Sequence, residues 1–251
     1  MGLLLISLAL LLAAPAYHRE VDRNENTADF AVLLSRLLIC ALLPFALALG
    51  IDLAIVGHKL FGLAAGFISG MVGGGLALLF WYGIELWQRE RKGGNKKMTF
   101  EDEGKPTPVK EKIDHVLTEA RIVLPGAQAL LGFQFVTFLM EGFEKLPRQL
   151  QLLHYVALGL VALCAILLMT PPAYHRLVER GEDTEGFQQL ASRFVCWAMI
   201  PLALGITTDF YVVTSKVAQS SRVALALSAV VLALFIGLWF LFPMIRARAK
   251  G

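Results

Sequence analysis

Long stretches of this chain carry no charged side chain. Residues 37–51, 60–84, 122–140, 155–174, 194–208 and 223–245 contain no Asp, Glu, Lys or Arg. A bilayer core about 30 Å thick is crossed by about 20 mostly apolar helical residues. Lipid offers the backbone no hydrogen-bond partner, so spans of this kind are helices. The ten-residue alternation of a membrane barrel is absent. The pattern predicts an all-α, polytopic transmembrane bundle of about seven helices. They are expected near 2–17, 31–57, 60–87, 121–141, 148–171, 187–214 and 221–244.

Self-similarity organises these spans. Pro15-Ala16-Tyr17-His18-Arg19 recurs as Pro172-Ala173-Tyr174-His175-Arg176, 157 residues later. At that offset, without a gap, Phe30 meets Phe187, Ser35-Arg36 meets Ser192-Arg193, Pro44 meets Pro201, Asp52 meets Asp209 and Lys59 meets Lys216. Residues 15–60 share 20 identities in 46 positions with 172–217. The expected organisation is an N-terminally incomplete repeat (1–88), a basic linker (89–120) and a second repeat (121–251). The first three spans then correspond in parallel to the last three, and the 121–141 span has no counterpart. The first copy starts inside its own first helix, which implies a missing upstream helix or a misplaced start.

Charge changes the picture by giving it a direction. Of the 23 Lys and Arg, 18 fall on one side if the 88–121 loop is cytoplasmic. The positive-inside rule then places the N-terminus outside and the C-terminus in the cytoplasm. The net charge of +3 and pI near 8.8 are read as topology, not as nucleic-acid binding. Within the linker, Ile113, Val116, Leu117 and Ala120 fall at i, i+3, i+4 and i+7. This spacing predicts an amphipathic helix lying on the bilayer surface before the fourth span. Tyr17, Trp81, Trp87, Tyr174 and Trp239 fall near cytoplasmic span ends, where such rings anchor at headgroups.

Composition adds little beyond membrane character: 57% of residues are hydrophobic and the mean hydropathy is +0.63. Cys40, Cys164 and Cys196 lie in apolar runs without paired spacing, and are read as buried thiols rather than as a disulfide or zinc framework. Residues 1–14 resemble a signal-peptide core but lack its basic start, and are read as a retained helix.

The candidate chemistry lies in a few polar positions. Asp52 and Asp209 are intramembrane acids, which mark ion or proton sites by default. Each lies near a predicted outer end, with Lys59 or Lys216 seven residues on, so a structural ion pair on the same helix face competes with that reading. Gln128 and Gln134 could add polar atoms from the fourth span. In the repeated element, Tyr17, His18, Arg19 and Tyr174, His175, Arg176 would be interfacial anchors or a pH-responsive latch. Arg36 and Arg193 could order the acidic loops before them through exposed pairs worth about 0–1 kcal/mol. Pro44 and Pro201 should kink their helices. Gly62, Gly66, Gly70 and Gly74, at strict i+4 spacing, form a glycine zipper for close helix packing within the chain or in a dimer. His154 alone among the histidines falls in a span, towards the outer side, without a second histidine placed for haem ligation. No metal, cofactor or catalytic constellation is expected.

Glu119-Ala120-Arg121 opening the fourth span, the Gly126–Phe135 run, Pro172-Ala173-Tyr174-His175-Arg176 and the Ser192-Arg193-led helix carry a resemblance. Residues 112–216 resemble a bacterial family of small, roughly four-helix integral membrane proteins of unknown function, and residues 3–60 resemble a partial second copy. Some members carry a sodium:proton antiporter label, so the resemblance implies a helical membrane fold and, through that label, ion exchange. Antiporter acids usually sit at the midplane, whereas the acids here are expected near one edge. The expected function is therefore a non-enzymatic structural or accessory subunit of a larger membrane complex. Its partners would be the lipid bilayer and other subunits or a second copy. The alternative is an ion- or proton-coupled secondary transporter using Asp52 and Asp209.

Overall fold

The computed structural model describes residue 3 and residues 28–83, 109–178 and 184–248; the expected 2–17 span, residue 3 apart, and most of the basic linker lie outside them. The described elements are all helical. Helix α1 is Ala28–Phe61 and α2 is Leu63–Leu78, continued by a π-helical turn at Leu79–Gly83. Then come α3, Val109–Leu139; the short α4, Glu141–Glu144; and α5, Arg148–Leu177. Helix α6 is Glu185–Ala218 and α7 is Ser221–Ile236; a π-helical turn, Gly237–Leu241, leads into α8, Phe242–Arg248. Six segments, within α1, α2 with its π turn, α3, α5, α6 and α7 with its π turn, are long and apolar enough to cross a membrane.

Lengths match across the chain. Helices α1 and α6 both have 34 residues, α2 and α7 both have 16, and each shorter helix runs into a five-residue π turn. Pro44 and Pro201 lie inside α1 and α6 without ending them. The turns between the paired helices differ. Gly62 joins α1 to α2 alone, with φ at +90°, a conformation glycine adopts freely. Between α6 and α7, Gln219 takes a positive φ of 50°. Ser220 then caps α7 by accepting from the Val223 N–H.

Tertiary contacts divide the chain into two compact units, Met1–Ile122 with Ile166–Val195, and Val123–Ala165 with Cys196–Gly251. In the first unit, α1 and α2 form a hairpin. A Cβ on Gly66 would lie 2.8 Å from the Ala54 carbonyl oxygen, and one on Gly70 would lie 2.9 Å from that of Gly50. A Cβ on Gly74 would meet the Gly50 Cα at 3.4 Å. The facing positions Ala46, Gly50 and Ala54 are themselves small and four apart, so two backbones approach where side chains would hold them away. Gly62 has no atom within 4 Å of its Cβ position and serves the turn instead.

Two expectations for this unit need correction. The stretch 113–120 is not a separate surface helix: α3 is continuous from 109 to 139, with Pro125 inside it. Its predicted apolar face, Ile113, Val116, Leu117 and Ala120, is buried against protein. Amphipathic periodicity reports that one face leaves water; it does not say whether lipid or protein receives it. Trp81 is likewise no headgroup anchor. It is 1% exposed, stacks on Phe45 with ring centroids 5.5 Å apart, and donates its indole N–H to the Ile166 carbonyl at 3.0 Å. Tyr82 donates its hydroxyl to the Ile39 carbonyl at 2.6 Å. Tyr174 is also buried, stacked on Phe187 at 6.0 Å.

Candidate functional site

The polar centre of the second unit is built where α3, α5 and α6 meet. Between α3 and α5 the chain reverses over residues 140–147. Met140 is extended and leads into α4. Tight bonds from Phe143 N–H to the Met140 carbonyl and from Leu146 N–H to the Phe143 carbonyl, both 3.0 Å, compact the reversal. The Pro147 carbonyl then accepts from Leu150 and Gln151 and starts α5. Gln134 lies five residues before the end of α3 and His154 six residues after the start of α5. At 1.5 Å per residue both sit roughly 8–9 Å from the reversal. Depth alone therefore brings them level.

Helix α6 joins them through a close approach. A Cβ on Gly205 would lie 2.8 Å from the Val161 Cγ2 and 3.3 Å from the Ala157 carbonyl oxygen, so only glycine lets α6 come this near to α5. One turn on from Gly205 is Asp209, and one turn back from Ala157 is His154. There Asp209 Oδ1 meets His154 Nδ1 at 2.6 Å. Gln134 donates its side-chain N–H to Asp209 Oδ2. His154 Nε2 lies 3.1 Å from the Gln134 backbone carbonyl oxygen. Gln134 and His154 are buried, and the Asp209 side chain is 15% exposed.

These partners fix the proton count. A backbone carbonyl only accepts, so Nε2 of His154 carries a hydrogen, and the tautomer is assigned from that partner. The remaining nitrogen faces a carboxylate oxygen, and the contact holds when one further proton lies between them. The pair is then either imidazolium with carboxylate or imidazole with carboxylic acid, and its net charge is zero in both forms. Removing that proton would set a nitrogen lone pair against a carboxylate oxygen and give the pair a net negative charge. Gln134 Oε1 is buried and has no hydrogen-bond partner among the described residues. Two phenyl rings close the imidazole in: Phe138 at 4.7 Å and Phe143 at 5.9 Å, themselves 4.5 Å apart.

Two of the four sequence-nominated ion or proton residues, Gln134 and Asp209, meet here. The expected local pairing of Asp209 with Lys216 is not what the carboxylate makes; it turns to neighbouring helices, and Lys216 is exposed. Gln128 is exposed on α3. Asp52 lies half-buried on α1 in the first unit, and no described residue gives it a hydrogen bond or ion pair. Gln134 and His154 precede the repeated block, so Asp52 shares the acid but not this setting. Of the repeat motif, Tyr174 and His175 pack on Phe187, with the His175 ring at 4.6 Å. Arg36 and Arg193 are exposed. Tyr17, His18, Arg19, the Arg176 side chain and the acidic loops expected beside Arg36 and Arg193 lie outside the described residues. Cys164 is buried, while Cys40 and Cys196 are exposed. Among the described residues, no three His, Cys, Asp or Glu side chains gather as a metal site.

The partner that sequence reasoning missed is His154. Its signal was present: a histidine in an apolar helix, at the same distance from the reversal as Gln134, on the face carrying Ala157 and Val161. Gly205, four residues before Asp209, is the second such signal.

A model of a family of unknown function, DUF6328, matches residues 103–243. No curated protein and no solved structure matches the chain.

Proposed function

We propose that this chain, which belongs to the DUF6328 family of unknown function, is a proton-coupled integral membrane protein of the secondary-transporter kind. The observation that carries the reading is the His154–Asp209 contact, with Nε2 committed to a carbonyl and one exchangeable proton between Nδ1 and Oδ1. Ionisable groups within spans are costly, face the bundle interior and mark proton relays. Loaded, the pair is neutral and joins α5 to α6. Unloaded, its facing atoms repel and the helices lose their tie. A proton taken at one face of the membrane and released at the other would thus be linked to helix packing. Gln134 orients the second carboxylate oxygen in both states.

The matched helix lengths, together with the 157-residue offset, support duplication of one helical unit. The family match is consistent with residues 112–216 as the core of the more complete copy. The Lys and Arg distribution supports an N-terminus outside and a C-terminus in the cytoplasm, and the resemblance to a bacterial family supports an inner-membrane setting.

The test is proton flux into liposomes holding the purified chain and a trapped pH dye, with potassium and its ionophore clamping the potential. Flux above that of empty liposomes is expected, abolished by Asp209→Asn and much less affected by Asp52→Asn. Flux equal to empty liposomes, or undiminished in Asp209→Asn, sinks the reading.

A second reading, an accessory subunit of a membrane complex, draws on a different observation. The α1–α2 hairpin carries an apolar cleft of about 400 Å³, lined by Leu47, Ile51, Phe67 and Met71 over the close-packed glycines. A transmembrane helix of a partner subunit fits such a surface. Purification in mild detergent should then bring down a stoichiometric partner, and a lone monodisperse monomer counts against it.

A further inference from the structure

We propose that the 140–147 reversal is a gate over the His154–Asp209 pair, with Phe143 as its plug and Gln151 as its latch; this rests on the proton-coupled reading above. Phe143 is the buried member of a segment that is otherwise open. Glu141, Gly142, Glu144 and Lys145 around it are exposed, while its own ring is 2% exposed. That ring is turned inward onto Phe138 and the His154 imidazole. Two aromatic rings therefore separate the imidazole from the water at this end of the helices. Apolar constrictions of this kind obstruct protons because they hold no hydrogen-bonded water.

The plug is held by one side chain of α5. Gln151 donates its amide N–H groups to the carbonyls of Phe143 at 3.2 Å and Leu146 at 3.1 Å, with that of Glu144 at 3.4 Å. Its own oxygen accepts from Arg148 at 3.3 Å, which sets the amide the right way round for the loop. Gln151 stands one helical turn from His154. A change in α5 packing as the pair gains or loses its proton is passed directly to the latch.

The charged groups on the gate are Glu141, Glu144, Lys145 and Arg148, all exposed. The charged group facing the imidazole is Asp209 from α6, and the Gln134 backbone carbonyl from α3 faces its other nitrogen. With the gate open, a hydronium ion gives its proton to the Nδ1···Oδ1 contact and leaves as water; one bond to hydrogen forms, one breaks, and no electron changes hands. The competing route is direct, through the 15% of the Asp209 side chain that is exposed.

Deuterium exchange at the imidazole C2 position, read by mass spectrometry on the full chain in liposomes, reports the access of each histidine separately. At fixed pH, Phe143→Ala and Gln151→Ala should each speed exchange at His154 several-fold and leave His58, His115 and His175 unchanged. Phe133→Ala, on the exposed face of α3, should change none. If Phe143→Ala fails to fold, Gln151→Ala decides. Unchanged His154 exchange in the folded variants overturns the gate and assigns access to the Asp209 edge; equal acceleration at all imidazoles overturns it as general loosening. Failure of the proton reading shows up elsewhere, in flux that survives Asp209→Asn.

Discussion

The imidazole Nδ1 of His154 lies 2.6 Å from Asp209 Oδ1, tying α5 to α6 across 55 residues of chain. The tie is largely shielded, with His154 buried and Asp209 part-buried, so removing either partner leaves the other short of a hydrogen bond. His154→Leu leaves the carboxyl with Gln134 as its remaining donor. Losing a hydrogen bond to a charged group costs about 1.5–3 kcal/mol. The double variant His154→Leu with Asp209→Leu strands neither member of the pair and leaves only the Gln134 amide N–H without its carboxylate acceptor. Its cost should fall below the sum of the two single variants by about 0.5–3 kcal/mol. Unfolding of the purified chain in mixed detergent micelles measures this. Strict additivity would mean that the two side chains do not interact in the folded protein.

Gln134 divides its two roles between its atoms. Its side-chain N–H supports Asp209, its backbone carbonyl accepts from His154, and its buried Oε1 is unsatisfied among the described residues. Gln134→Leu removes the donor and the orphaned acceptor together and keeps the backbone carbonyl. Interhelical hydrogen bonds in membranes average about 0.6 kcal/mol. The variant should therefore cost under about 1 kcal/mol in the same unfolding measurement. A loss as large as that of His154→Leu would show that the amide holds Asp209 as strongly as the imidazole does.

The spans were legible because lipid imposes a simple rule on length and charge, and α1, α2, α3, α5, α6 and α7 follow it. The direction in which a polar group points was not. Asp209 and Lys216 share a helix face in the sequence, yet the carboxylate bonds across to His154, because Gly205 lets α5 come within reach. Asp52 reads the same way in the sequence and has no such neighbour among the described residues. Likewise, Ile113 to Ala120 declared an apolar face, and Trp81 an amphipathic ring, without saying what would cover them. Period and composition report leaving water; the recipient is decided by tertiary packing.

Gly70 and Gly75 make opposite predictions five residues apart on α2. A Cβ on Gly70 would lie 2.8 Å from the Ala54 Cβ and 2.9 Å from the Gly50 carbonyl oxygen, while at Gly75 there is open space. Backbone cannot yield as a flexible side chain can, so Gly70→Ala should cost about 1–3 kcal/mol, as overpacking does. Gly75→Ala should be neutral or stabilise by up to about 1 kcal/mol through helix propensity. Comparing the two variants by thermal unfolding in detergent checks the hairpin. Equal effects would mean that α1 and α2 do not pack through this seam.

Trp81 supplies the last prediction. Its indole N–H reaches the Ile166 carbonyl at 3.0 Å, and its ring stacks on Phe45 at an interplanar angle of 6°. The two contributions separate under substitution. Trp81→Phe keeps an aromatic ring beside Phe45 and loses the hydrogen bond, together with the volume of the second ring. The hydrogen bond is worth about 1 kcal/mol net. Trp81→Ala also empties a fully buried site and should cost about 3–5 kcal/mol. A headgroup anchor would behave differently: Phe and Ala would both cost little in micelles, and tryptophan fluorescence would move with the detergent headgroup. Trp81 should instead emit as a buried indole in any detergent that keeps the fold. Replacing the other three tryptophans with Phe isolates its signal.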